Sequence, residues 1–102
     1  MATTDLSAYD KNTVPNAKDF RFGIVVSEWN ESITEGLYQG AVKALLDNGA
    51  LEENIIKWDV PGSYELIYGA KKMVASQDLD AVIAIGVICK NTKDYRNILN
   101  DI

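Results

Sequence analysis

Histidine is absent from all 102 residues. That absence excludes His-ligated metals, Ser-His-Asp triads and a histidine general acid. The single cysteine, Cys89, excludes an internal disulfide and any multi-cysteine metal site, and it suits a reducing compartment. Basic residues are few and scattered: ten Lys and Arg stand against fifteen Asp and Glu, for a formal charge of −5. No basic cluster exceeds Lys71 and Lys72. This balance opposes a phosphate backbone, so nucleic acid is not an expected partner. The phosphate-loop patterns GxGxxG and GxxxxGK(S/T) do not occur. No apolar run approaches the roughly 20 residues that cross a bilayer, and none of the features expects a membrane partner. Residues 1–9 lack the basic start and apolar centre of a secretory signal, so a soluble, cytoplasmic protein is expected.

What is present describes one globular domain, with 47% hydrophobic and 25% charged residues. A chain of this size buries roughly two-thirds of the surface its unfolded form exposes, enough for one core without disulfide or metal staples. It has room for about three strands, where open sheets usually hold about four to six.

Residues 1–19 are polar, contain Pro15 and show neither helical nor strand period. They read as an extended arm, either a frayed terminus or a strand added to a neighbouring subunit. Residues 20–102 read as the domain itself. Residues 20–27 (FRFGIVVS) form a strand buried on both faces. Asn30 is an N-cap candidate for a helix with apolar Ile33, Leu37, Ala41, Ala44 and Leu45, stopped by Asn48 and Gly49. Residues 54–60 (NIIKWDV) form a second strand, ended by Pro61 and Gly62. Ser63 then caps a helix whose stripe is Leu66, Ile67, Ala70, Met73 and Val74. Residues 80–88 (DAVIAIGVI) are expected as a central parallel strand. Tyr95, Ile98, Leu99 and Ile102 share one face of a last short helix.

This alternation implies an α/β fold of three αβα layers, with a short parallel sheet and right-handed crossovers. Ligands of such folds bind beyond the carboxyl ends of the strands. Three loops leave that edge. In the first, Trp29 either presents a flat face to a planar ligand or covers the sheet edge, and Asn30 either binds or caps. In the second, Ser63, Tyr64 and Glu65 open a helix, where free N–H groups favour acceptor atoms and Glu65 suits polyol hydroxyls. The alternative there is an ordinary turn with a carboxylate that complements the helix dipole. The third opens with Gly86, which permits close backbone approach, and its Lys90, Thr92 and Lys93 serve either a phosphate or solvent. Cys89 has no base beside it and reads as a small buried residue.

The run FGIVVSEWNESITEGLYQGAVKALLDNGA, the VPGSYEL turn and DAVIAIGVI together resemble lumazine synthase, the 6,7-dimethyl-8-ribityllumazine synthase family of riboflavin biosynthesis. The resemblance runs from Phe20 to Ile88, and the polar arm also fits. It implies a flavodoxin-like fold that is truncated, with the N-terminal two-thirds of the family's chain present and its C-terminal phosphate-binding arginine missing. It implies a transferase without cofactor that condenses 5-amino-6-(D-ribitylamino)uracil with 3,4-dihydroxy-2-butanone 4-phosphate. It also implies a homo-oligomer, a pentamer or larger shell, with sites between neighbours. By the same resemblance Trp29 lies against the pyrimidine ring with Asn30 beside it. Ser63, Tyr64 and Glu65 hold the uracil substrate, and the backbone of Val87 and Ile88 pairs with the pyrimidine edge. With one gap, Asn91 and Thr92 fall on the phosphate-contacting pair, and Asp94 falls where the family has its histidine acid/base. An Asp with an ordinary pKa of about 4 donates protons poorly at pH 7, so impaired turnover is expected. The alternatives are a non-enzymatic remnant that binds ribityl pyrimidines or flavins, or co-assembles with a longer paralogue, and a generic module of the same fold.

Overall fold

The computed structural model describes residues 11–88. Strand β1 (Phe22–Ser27) leads into helix α1 (Glu31–Asp47), a 3-10 turn at Glu52–Asn54, β2 (Ile55–Val60), α2 (Glu65–Ser76) and β3 (Ala81–Ile85). Both strand pairings are parallel, and the order across the sheet is β2-β1-β3. Side chains along a strand point alternately to opposite faces. Ile24 and Val26 accordingly pack with Tyr38, Ala41, Val42 and Leu45 of α1, whereas Val25 packs with Leu66 and Met73 of α2. The three αβα layers expected from the alternation are present, and β1 supplies both cores. Each fully buried aliphatic side chain of this kind contributes about 1.5–3 kcal/mol.

Several boundaries and faces differ from expectation. Regular pairing of β1 starts at Phe22, because Arg21 is held otherwise: its N–H donates to Asp80 Oδ2 and its carbonyl accepts the Asp80 N–H, both at 2.8 Å. The strand expected at residues 80–88 is regular only over Ala81–Ile85. Among the described residues it lies at the sheet edge, and β1 is the central strand. Its continuous apolar run reflects contact with helices on the sheet faces and does not report which strand has two neighbours.

Helix α1 turns a different stripe inward. Thr34 is buried and Tyr38, Ala41, Val42 and Leu45 pack on the core, while Ile33 and Leu37 are each 51% exposed. Two apolar stripes run along this helix, and the one bearing Tyr38 and Val42 meets the sheet. On α2 the inward residues are Leu66, Gly69 and Met73, whereas Ile67 and Val74 face outward. Gly69 allows the helix to lie this close: a Cβ there would stand 3.0 Å from both Val25 Cγ1 and Val60 Cγ1. Across the contact, a Cβ on Gly23 would run into Met73 Sδ and lie 2.6 Å from Leu79 Cδ1.

The stop after α1 forms as expected. Gly49 has φ +98°, its N–H donates to Leu46 O at 3.1 Å, and the Ala50 N–H donates to Leu45 O at 2.9 Å. This is the double closure of a helix by a left-handed glycine. The Ala17 N–H donates to Asn48 O at 2.8 Å, seating the preceding segment against the end of α1.

Strand β2 carries Lys57 on the α1 side. Its ammonium lies 3.4 Å from Glu35 Oε2, 3.5 Å from Asp59 Oδ1 and 4.4 Å from the centre of the Tyr38 ring. Burial opposes its charge, but Asp59 and Glu35 outweigh that cost and raise its pKa. The hydrogen bond from Gln39 lowers the Glu35 pKa, and Lys57 adds to the effect. The Glu35 contribution is therefore present above its unfolded pKa and is lost as pH falls through the folded one.

The glycine contact makes a signed prediction. Gly23→Ala should lower stability by about 1–3 kcal/mol, because Met73 and Leu79 must be displaced. Gly40→Ala, on an α1 position with nothing within 4 Å of the added methyl, should raise it by about 0.5–1 kcal/mol. Urea unfolding of both variants checks the pair, and equal effects would contradict the close-approach account.

Candidate functional site

The parallel register ends in step, with Ser27 opposite Val60 and Val26 opposite Ile85. The three loops therefore leave the sheet along one edge, and the Glu28 N–H ties the first to Val60 O at 2.8 Å.

In the first loop Trp29 is 56% exposed. Asn30 takes up the left-handed conformation, φ 56° and ψ 54°, and its side chain makes no cap bond. The expected side-chain cap is thus replaced by a backbone one: the Asn30 carbonyl accepts the N–H of Ile33 at 2.9 Å and of Thr34 at 3.2 Å. Asparagine tolerates this conformation better than most residues, which explains its place at the bend.

In the second loop Ser63 is buried. Its expected role as a helix cap is not met, because its hydroxyl donates to Val87 O at 3.3 Å. Tyr64 occupies the cap position with helical φ and ψ and no side-chain cap bond, so the backbone already coils at Tyr64 and leaves Ser63 turned toward the third loop. Tyr64 is 45% exposed. Glu65 opens α2 at the surface, and its Oε1 stands 3.6 Å from where a Cβ on Gly62 would be. The carboxylate therefore lies back over the turn.

In the third loop Val87 and Ile88 are half-buried. The close approach expected at Gly86 is made by α2 itself, since a Cβ there would lie 2.6 Å from Leu66 Cδ1 and 3.1 Å from Ser63 Oγ. Beside it opens a hollow of about 350 Å³ lined by Ser63, Leu66, Ile67, Ala84, Gly86 and Ile88. Trp29, Asn30, Tyr64 and Glu65 share the edge but lie outside that lining. Asn91, Thr92 and Asp94, together with Cys89 and the helix expected from Tyr95 onward, lie outside the described residues.

A hollow of about 380 Å³ lies at the opposite, amino edge, between Val14, Phe20 and Phe22 and the end of α1 at Leu45. Its walls are mainly apolar, and the two asparagines that line it are engaged locally, Asn16 Oδ1 by the Lys18 N–H and Asn48 Nδ2 by Ala44 O, where a ligand site usually has polar groups converging on the cavity. The carboxyl edge instead combines an exposed indole, a phenol, a carboxylate, buried hydroxyls and strand-end backbone. That set can stack on a flat ring and hydrogen-bond both its edge and a hydroxylated chain. Among the described residues no group of three or more His, Cys, Asp or Glu is placed to hold a metal, and no helix is long and apolar enough to cross a membrane. One residue carried no role in the sequence reading: Ser27, fully buried at the end of β1. Its signal was a hydroxyl closing the apolar run IVV.

A family model for 6,7-dimethyl-8-ribityllumazine synthase matches residues 19–102. The chain is 66% identical over 89 residues to the 6,7-dimethyl-8-ribityllumazine synthase of Flavobacterium psychrophilum, covering 87% of the chain and 47% of that protein. It is 65% identical over 99 residues to the enzyme of that name from Christiangramia forsetii, covering 93% and 59%. With the one from Flavobacterium johnsoniae it is 65% identical over 98 residues, covering 93% and 52%. The chain thus spans about half the length of the curated relatives it matches.

The bond joining the second and third loops is open to test. Ser63→Ala should lower stability by about 0.5–1.5 kcal/mol, the usual net worth of one such hydrogen bond. Urea unfolding reads it, and an unchanged midpoint would show that the 3.3 Å contact holds nothing in place.

Proposed function

The chain belongs to the 6,7-dimethyl-8-ribityllumazine synthase family, and on that premise we propose that it carries the ribityl-pyrimidine site of this transferase. The reaction is the condensation of 5-amino-6-(D-ribitylamino)uracil with 3,4-dihydroxy-2-butanone 4-phosphate through an imine, with loss of phosphate before ring closure. One observation carries the reading: the register delivers all three loops to one edge, where Ser63 is bonded to Val87 and Trp29 and Tyr64 are exposed.

On this reading Trp29 stacks on the pyrimidine, an exposed indole being suited to a flat polar ring. Asn30 sits beside it, its backbone fixed by the bend. Ser63, Tyr64 and Glu65 hold the uracil substrate, with Glu65 directed to the ribityl hydroxyls. The backbone at Val87 and Ile88 meets the pyrimidine edge. Asn91 and Thr92 take the phosphate, and Asp94 stands at the position of the family's acid/base. Residues 20–102 act as one domain and residues 1–19 as its arm. A cytoplasmic, homo-oligomeric assembly, a pentamer or larger shell, belongs to the same reading. The exposed Ile33 and Leu37, one turn apart on α1, support the assembly, because neighbouring exposed apolar side chains mark contact sites. A monomer in sedimentation equilibrium at all protein concentrations would remove that part.

Titration with 6,7-dimethyl-8-ribityllumazine tests the site. The Trp58→Phe variant, which retains Trp29 as its single tryptophan, should show saturable quenching. Trp29→Ala should bind roughly fivefold more weakly by calorimetry, the scale of one aromatic stack. With both substrates present, turnover is read from lumazine absorbance. Absence of both saturable binding and turnover would overturn the proposal.

A further inference from the structure

Ser27 ends the central strand, and its Oγ is a fully buried side-chain atom with no hydrogen-bond partner among the described residues. Strand alternation turns it to the α2 face together with Val25. The pairing of Val26 with Ile85 sets Ser27 beside Gly86, and Ser63 Oγ lies 3.1 Å from where a Cβ on Gly86 would stand. Ser27, from the end of β1, and Ser63, from the second loop, therefore flank Gly86 on the same face of the sheet.

Their hydrogen bonding is unequal. Ser63 donates to the Val87 carbonyl at 3.3 Å, long against the usual O–H···O separation of about 2.7–2.8 Å. The Ser27 hydroxyl bears the desolvation cost of a buried polar group with nothing in return, whereas an alanine of the same shape would be neutral or stabilising there. A hydroxyl that destabilises the empty chain and sits one residue before the loop of Trp29 and Asn30 fits a partner that becomes available on loading.

We propose that Ser27 is a positioning residue that acts through Ser63. When a ring N–H of the ribityl-pyrimidine takes the Val87 carbonyl, the Ser63 hydroxyl exchanges its long bond to that carbonyl for one to Ser27 Oγ. The ring N–H takes the place of the Ser63 hydroxyl at the Val87 carbonyl, no covalent bond changes, and the second loop settles on the ligand with Ser27 Oγ accepting a hydrogen bond it lacks in the empty chain. This inference rests on the ribityl-pyrimidine reading of the edge.

The test combines stability and binding in Ser27→Ala, Ser63→Ala and the double variant, with 6,7-dimethyl-8-ribityllumazine as the probe. Ser27→Ala should raise the urea midpoint of the empty chain and weaken binding roughly three- to tenfold, the worth of one hydrogen bond. In the Ser63→Ala background the same change should weaken binding no further, because the hydroxyl that turns to it is gone. Unchanged affinity in Ser27→Ala, or the same loss in both backgrounds, overturns the inference while the proposed function stands. A lowered midpoint in the empty Ser27→Ala chain also overturns it, since a merely structural hydroxyl gives that result. Failure of the wild-type chain to bind overturns both.

Discussion

Helix α2 reaches the sheet where Gly23 and Gly69 leave out the side chains that would hold it away. With Met73 seated over Gly23 and the backbone at Gly69 between Val25 and Val60, the helix sits low on β1 and spans toward both neighbouring strands. Protein interiors are packed densely enough that a single added methyl at such a contact must move its neighbours. The second core, built on Val25, Leu66 and Met73, depends on that approach. So does the position of the first turn of α2, which brings Ser63 and Leu66 over Gly86 at the end of β3.

The candidate site inherits its geometry from this packing. Parallel pairing aligns the carboxyl ends of the three strands, and the low seat of α2 joins the second loop to the third through Ser63 and Val87. Trp29 and Asn30 are placed from the other side, by the left-handed bend that starts α1. Rigid strands thus deliver loop residues that the loops could not place alone. The apolar hollow at the amino edge is of similar size but stands apart from all three loops, which separates cavity volume from site chemistry.

Much of the fold was legible in the chain because its signals are periodic or local. The apolar IVV run, the Asn48-Gly49 stop and the alternation of strand and helix each have one direct physical reading, and the parallel three-layer arrangement follows from them. The faces of the helices were not legible in the same way. Leu37 and Tyr38 sit on adjacent stripes of α1, and hydropathy favours the leucine although tyrosine meets the core. On α2 the inward face includes Gly69, which contributes nothing to an apolar stripe and permits a close approach through the absence of a Cβ. The candidate site residues Trp29, Ser63, Tyr64 and Glu65 could be assigned to loops on one edge. That Ser63 bonds Val87 instead of capping α2 depends on the approach of two elements 24 residues apart in sequence, which no local pattern encodes. Ser27 escaped notice because a buried hydroxyl without a partner is defined by its surroundings.

The central claim is that the carboxyl edge of the sheet is where a ribityl-pyrimidine binds. Backbone amide shifts recorded during titration with 6,7-dimethyl-8-ribityllumazine test it most directly. The account predicts that the perturbed amides cluster at residues 27–30, 62–66 and 86–88, with the Trp29 indole N–H among them. Perturbations centred instead on Val14, Phe20, Phe22 and Leu45, around the amino-edge hollow, would contradict it.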